Sequence, residues 1–439
     1  MRHVATRAAG PLRGEVRVPG DKSVSHRAVL FAAMARGVSH LTGVLDSADV
    51  RSTLAAVHAL GAGVGISEAG GGSLDVTVSG WGATGPTEPD AEIDCGNSGT
   101  TARLLMGVLA GWPVCVTLTG DESLSRRPMG RVTVPLSAMG AEIVTAAGGR
   151  MPVRIFGGGL HALDHESQVA SAQVKTAVLL AGLRASGRTV VSEPVLSRDH
   201  TERLLPAFGI EVGRDEDLHV CWVEGPAVPI AADVAVPRDP SSAAFMVGAA
   251  TVVPASDVVV CDVALNPTRL GFLRVLARMG ADVEARTTGA AGAEPVGDIV
   301  VHGGTALRGV LVAADESPSL IDEVPLLAVV AARAEGTTRF EGVRELRVKE
   351  SDRLTAVADG LRAMGVSVRT GDDWLEVDGV AELHAAELDS LGDHRLAMTY
   401  AVAALAADGP VGIERFESVG VSYPGFLADL AALGGGGSR

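Results

Sequence analysis

Seven short polar segments set cations among glycines and hydroxyls: VPGDKSVSHRA (18–28), DCGNSGTTARLL (94–105), GDESLSRRPMG (120–130), SAQVKTA (171–177), LSRDHTERL (196–204), RVKESDRL (347–354) and GDHRLAM (392–398). Each stands where a helical pattern opens. A helix start exposes unpaired N–H groups and about half a positive charge, so Lys, Arg, Ser and Thr gathered there suit phosphate or carboxylate groups. Lys22, Ser23 and Arg27 share a turn and a half and suit a phosphomonoester or a carboxylate. In NSGTTAR, small residues with Arg103 permit close backbone approach to an anion. Arg127 precedes Pro128, which disfavours helix and holds it extended. If RVKESDRL is helical, Lys349 and Arg353 stack at i and i+4 with Glu350 beside them. Two like charges so placed cost a few tenths of a kcal/mol, which a bound anion or a nearby carboxylate would offset.

Other chemistries fit poorly. The nucleotide loop G-x-x-x-x-G-K-[ST] fails at 14–23, because Gly14 and Gly20 are one residue too far apart and Asp21 separates Gly20 from Lys22. HExxH, clustered Cys and His, the spaced Asp loop of calcium sites and G-x-S-x-G are missing from the sequence, so neither a metal centre nor a serine elbow is expected. Cys95 reads as a small buried thiol rather than a nucleophile. His26, His200 and His394 lie in cation-bearing segments and are candidate ligand contacts.

The elements that must position these residues show in a repeat. Six times an amphipathic helical stretch ends in a large apolar residue and then Gly, followed in most units by strand-like alternation. The glycines, Gly61, Gly140, Gly209, Gly280, Gly365 and Gly434, stand 69 to 85 residues apart. The pattern implies a helix stopped by a left-handed Gly and followed by a strand. GEVRVPG, SLDVTVSGWG, MPVRIFGGG and VGDIVVHGG add strands without a helix after them, which predicts extra antiparallel pairing. The Pro- and Asp-rich PIAADVAVPRDPSS marks a crossover near residue 237.

The whole chain has 439 residues, 47% of them hydrophobic, and a net charge of -16. Its length exceeds what one core serves, so two or more domains are expected. The acidic surface argues against nucleic acid and anionic membranes as partners. The longest apolar run, Ala243 to Ala255, is too short to span a bilayer, and the first 20 residues lack the apolar core of a secretory signal. Four scattered cysteines suit a reducing cytoplasm.

DKSVSHR, GNSGTTARLL, RRPMG, SAQVKTA, IDEVPLLA, RVKESDRL and GDHRLAM, in this order over nearly the whole chain, resemble the 5-enolpyruvylshikimate-3-phosphate synthase family, the 3-phosphoshikimate 1-carboxyvinyltransferases. The resemblance implies an α/β (α+β) fold: a two-domain inside-out α/β barrel of six βαβαββ repeats, three per domain, with the ligand cleft between domains. It places one domain at 21–237 and the other at 1–20 plus 238–439. It implies a monomeric, cofactor-free enzyme that moves the enolpyruvyl group of phosphoenolpyruvate to the 5-hydroxyl of shikimate 3-phosphate and releases phosphate. By motif, Lys22, Ser23, Arg27, Ser171, Gln173, Asp322 and Lys349 would hold shikimate 3-phosphate. Lys22, Gly99, Arg127, Gln173, Arg353 and Arg395 would hold phosphoenolpyruvate. Asp322 matches the base near the 5-hydroxyl, and Glu350 the acid/base facing the methylene carbon. Six cations would answer roughly five negative charges on the substrates.

Some residues depart from the family pattern. Val421 stands where many relatives have Lys before a T-F-P-like turn, and Ala172 replaces a Ser of some relatives. Gly99 is retained where Ala is associated with glyphosate tolerance, which implies sensitivity. The nearest rival, an enolpyruvyl transferase acting on UDP-N-acetylglucosamine, typically carries Cys or Asp in the loop matching DESLSRRPMG and Asn after the first Lys. Here that loop has no Cys and Ser23 follows Lys22. A non-catalytic anion-binding paralogue is the other alternative.

Overall fold

The computed structural model describes residues 1–434. Its most apolar segments are its innermost helices. Pro240–Val252, Val324–Ala331 and His394–Ala404 are buried at every position. Enclosed on all sides, these three pack on one another. Lys22–Met34 packs likewise on Gly99–Ala110, which packs on Ala172–Gly182. All of these helices except Pro240–Val252 open with the motif segments or directly follow them, so the fold fixes the polar ends through the buried bodies.

Among the described residues, six sheets cover the helices. In one, Ile93–Asp94 leads through Gly99–Ala110 to Cys115–Thr119, which pairs parallel with it. A second helix, Gly130–Ala138, then leads to the hairpin Glu142–Ala146 and Arg150–Phe156, whose second strand pairs antiparallel with Cys115–Thr119. The same spatial order, a parallel edge strand beside a central strand that pairs with a hairpin, is shared by the five four-stranded sheets among the described residues. The sixth has three strands, with His3–Ala5 antiparallel to Val411–Glu414 in place of a hairpin. The result is the inside-out α/β repeat architecture, helices within and sheets outside. Five of the six repeat glycines, Gly61, Gly140, Gly209, Gly280 and Gly365, take φ between 74° and 112°, which stops each helix. Gly434 is instead the last residue of the helix Phe426–Gly434.

One strand differs from expectation. Arg13–Val16, within GEVRVPG, pairs parallel with Asp257–Ala264 and not antiparallel. Its connection to that partner passes through the helix Pro240–Val252, and a crossover of this kind produces a parallel pair.

The chain divides into two compact units. The N-terminal-half unit comprises Gly20–Val236 with Ala291–Glu294. The C-terminal-half unit comprises Met1–Pro19, Pro237–Ala290 and the chain from Pro295 onward. Against the division expected from the sequence, Gly20, Pro237 and the stretch Ala291–Glu294 fall in the other unit. Among the described residues, no helix is long and apolar enough to cross a membrane.

Candidate active site

In the N-terminal-half unit the anion-type residues gather at three helix starts. Asp21 caps Lys22–Met34 by accepting the Val24 N–H at 2.8 Å. Lys22 Nζ lies 2.8 Å from Asp49 Oδ2 on the helix Ala48–Ala59. Arg27 is buried and held in a fixed plane: Nε donates to Thr201 Oγ1 at 2.8 Å, one Nη to Thr176 Oγ1 at 2.9 Å and the other to the Ser23 carbonyl at 3.0 Å. The Thr176 and Thr201 hydroxyls are themselves 2.6 Å apart. Arg27, and through it the Ser23 carbonyl, is therefore tied to the helix Ala172–Gly182, which Ser171 caps and on which Gln173 sits in the first turn.

Gln173 carries the next link. Its Oε1 accepts from Arg103 Nη1 at 2.7 Å and its Nε2 donates to Thr100 Oγ1 at 3.0 Å, so it bridges to the helix that Gly99 opens. Arg127 is extended, with φ -74° and ψ 140°, as Pro128 requires, and its guanidinium donates to Asn97 and Ser123. A Cβ at Gly99 would lie 2.9 Å from Arg103 Nη1 and 3.2 Å from Arg127 Nη1. Only Gly lets both guanidinium groups approach this helix start without a shift.

His26 supports this arrangement and is no ligand contact. Its Nδ1 lies 2.7 Å from Thr53 Oγ1, which meets Thr101 Oγ1 at 2.6 Å, and Thr101 donates to Ser98 Oγ at 2.7 Å. Burial, then Lys22 and Arg27, push the His26 pKa well below 6.5, so the ring is neutral. His200 is buried against Glu294 at 2.7 Å. Burial, then Asp94, push the Cys95 thiol up to about 12, which removes it as a nucleophile.

In the C-terminal-half unit the centre is Arg353, 1% exposed. Its Nε donates to Asp393 Oδ2 at 2.7 Å, Nη1 to Asp322 Oδ1 at 3.1 Å and Nη2 to Glu350 Oε2 at 2.5 Å. Burial opposes its charge, but Asp393, Glu350 and Asp322 outweigh that and raise its pKa further. Asp322 also meets Lys349 Nζ at 3.4 Å and Arg395 Nη2 at 3.7 Å. Arg395 reaches Glu323 Oε1 at 3.4 Å. Asp322, Glu350, Lys349, Arg353 and Arg395 thus form one cluster.

Two sequence expectations change here. Lys349 does not stack on Arg353 in one helix, since it follows the 3₁₀ turn Arg344–Val348 in extended backbone and the helix begins at Arg353. The two cations meet instead on Asp322 Oδ1, the carboxylate that offsets their repulsion. Nor are the cations an open reserve of positive charge. Lys22 is paired with Asp49, and Lys349, Arg353 and Arg395 stand among Asp322, Glu323, Glu350 and Asp393. At these four cations an arriving anion must share or displace a carboxylate. Asp49, Asn97, Glu323 and Asp393 are the residues that sequence reasoning passed over. Asn97, Glu323 and Asp393 adjoin a motif residue, which is the only signal the sequence held. At the other departure, Val421 ends a 3₁₀ turn before Tyr423, whose hydroxyl donates to Asp429 at 2.8 Å.

Carboxylates and guanidinium groups so arranged can bind phosphate and carboxylate groups and shuttle protons beside them. Among the described residues, no group of three or more His, Cys, Asp or Glu could hold a metal ion. The family model for EPSP synthase (3-phosphoshikimate 1-carboxyvinyltransferase) matches residues 6–430. The chain belongs to the EPSP synthase family. It is 49% identical over 428 residues to the 3-phosphoshikimate 1-carboxyvinyltransferase of Halorhodospira halophila, covering 97% of this chain and 95% of that protein. It is 47% identical to that of Paracoccus denitrificans, covering 98% and 97%. Among solved structures, the EPSP synthase of Acinetobacter baumannii superposes with a TM-score of 0.86 at 40% identity, covering 99% and 98%. The enolpyruvyl transferase NikO of Streptomyces tendae, at 19% identity and a TM-score of 0.79, shares the fold.

Proposed function

We propose that this EPSP synthase family member transfers the enolpyruvyl group of phosphoenolpyruvate to the 5-hydroxyl of shikimate 3-phosphate through the residues described above. The observation that carries the assignment is that both proton carriers, Asp322 and Glu350, bond to the one buried guanidinium of Arg353. Lys22, Ser23, Arg27, Ser171, Gln173 and Lys349 hold shikimate 3-phosphate, with Asp322 at its 5-hydroxyl. Lys22, Gly99, Arg127, Gln173, Arg353 and Arg395 hold phosphoenolpyruvate.

The carboxylate of phosphoenolpyruvate competes with Glu350 for Arg353. Release from its countercharge raises the proton affinity of Glu350, the direction a general acid needs. Glu350 protonates the methylene carbon, the adjacent carbon becomes cationic, and the 5-oxygen attacks it while Asp322 takes the hydroxyl proton. Glu350 then removes a proton from the new methyl group, the carbon–phosphate oxygen bond breaks, and phosphate leaves with the proton held by Asp322. The reaction needs no cofactor. The relatives' names and a loop without Cys favour shikimate 3-phosphate over UDP-N-acetylglucosamine as acceptor. Four free thiols support a reducing cytoplasm. The -16 charge supports small anions over nucleic acid or membrane.

Phosphate release, measured with both substrates and with each omitted, tests the proposal. Turnover that requires both, and falls about 10²- to 10⁴-fold in Asp322→Ala, is expected. Full activity in the variant sinks the base assignment. A wild type that never turns over is a lapsed paralogue.

A further inference from the structure

A buried ionic cluster in the N-terminal-half unit takes no part in this chemistry. Lys175 Nζ lies 2.9 Å from Glu193 Oε2 and 2.8 Å from Glu202 Oε1, with all three side chains at most 4% exposed. Burial opposes the ammonium charge, yet Glu202 and Glu193 overcome it and raise the Lys175 pKa. Three desolvated ionic groups are weak stabilisers compared with packed apolar side chains, so stability alone does not account for them.

Glu193 does something that no apolar residue there can do. Its Oε1 accepts the Ser171 N–H at 2.9 Å, at the cap of the helix that carries Gln173. Its Oε2 accepts from Ser197 Oγ at 2.8 Å and the Ser197 N–H at 3.3 Å, in addition to Lys175. One carboxylate thus joins the segment entering the helix Ala172–Gly182 to the loop after the strand Gly187–Ser192. That loop continues into Thr201, which with Thr176 fixes Arg27.

We infer that Glu193, charge-locked by Lys175, is a positioning residue for shikimate 3-phosphate recognition that sets Ser171 and, through the same loop, the hydroxyls that orient Arg27. This inference rests on the reading above that Ser171, Gln173 and Arg27 hold that substrate. Glu202 neutralises Lys175 but has no bond to Ser171 or Ser197 among those described, so the two glutamates have separable roles.

Steady-state kinetics of Glu193→Gln, Glu202→Gln and Arg27→Ala separate the possibilities. An amide at 193 sets an N–H donor against one of the donors that the carboxylate accepts. Glu193→Gln is expected to raise the KM for shikimate 3-phosphate about 10- to 100-fold and leave that for phosphoenolpyruvate within about twofold. Glu202→Gln should leave both within about threefold, whatever it does to the melting temperature. If Glu193→Gln fails to fold, the uncharged pair Lys175→Met/Glu193→Gln is read the same way. An unchanged KM for shikimate 3-phosphate, or an equal rise in Glu202→Gln, overturns the inference. If Arg27→Ala also leaves that KM unchanged, the site reading itself is wrong. If Arg27→Ala raises it and Glu193→Gln does not, only the positioning role falls.

Discussion

Arg127 shows how one residue's conformation becomes a functional prediction. Pro128 denies it helical backbone, and Asn97 and Ser123 aim its guanidinium towards the start of the Gly99 helix. Truncation removes a charge-assisted bond of about 1.5–3 kcal/mol, so Arg127→Ala should raise the KM for phosphoenolpyruvate about 10- to 150-fold. Unchanged kinetics would take Arg127 out of the site. His26 makes a different prediction. The folded protein holds it neutral well below 6.5, whereas the unfolded chain takes up a proton near that value. Its contribution is therefore constant above about pH 6.5 and turns against folding as the pH falls below it, by up to about 1.4 kcal/mol per pH unit. His26→Asn removes this dependence. Urea unfolding at pH 7.5 and 5.5 should show a shallower acid loss in the variant than in wild type, and parallel profiles would contradict a neutral His26.

At the scale of elements, the motifs sit at the ends of helices whose separation is set by small residues. A Cβ at Gly107 would come within 2.3 Å of the Ala177 carbonyl oxygen, so Gly99–Ala110 and Ala172–Gly182 touch backbone to backbone there. Gly107→Ala cannot be absorbed by a side-chain rotation. It should cost about 1–3 kcal/mol, lower the melting temperature by several degrees and raise the KM of both substrates, because Gly99 and Gln173 ride on the displaced helices. Calorimetry with kinetics on the same sample checks this, and a variant with wild-type melting and KM values refutes the close approach. The elements were also the most legible part of the sequence. Helix, left-handed Gly and strand recur as the spacing predicts, because Gly at a helix end and alternation in a strand are local signals. The parallel pairing of Arg13–Val16 was not legible, since its partner is more than 200 residues away and nothing local records the choice.

For the whole molecule, a net charge of -16 coexists with anion-type helix starts, and Lys22, Lys349, Arg353 and Arg395 come already matched to carboxylates. The motifs and their family resemblance carried the reaction and named the cations and the two carboxylates proposed as proton carriers. They did not carry Asp49, Asp393 or Glu193, which contact Lys22, Arg353 and Ser171 across 27, 40 and 22 residues of sequence. Such partners emerge only when the chain is folded. Lys349 illustrates the same limit: the sequence sets it near Arg353, and only the fold shows that the shared carboxylate of Asp322 rather than a shared helix face brings them together.

The central claim is proton addition to, and removal from, the methylene carbon by a carboxylate held on Arg353. Turnover in D₂O, followed by proton NMR of the product, tests it directly. Deuterium should enter the vinyl methylene of the product in wild type, with turnover and incorporation falling together about 10²-fold or more in Glu350→Gln. A product formed without deuterium, or a Glu350→Gln enzyme that incorporates it at the wild-type rate, would contradict the account.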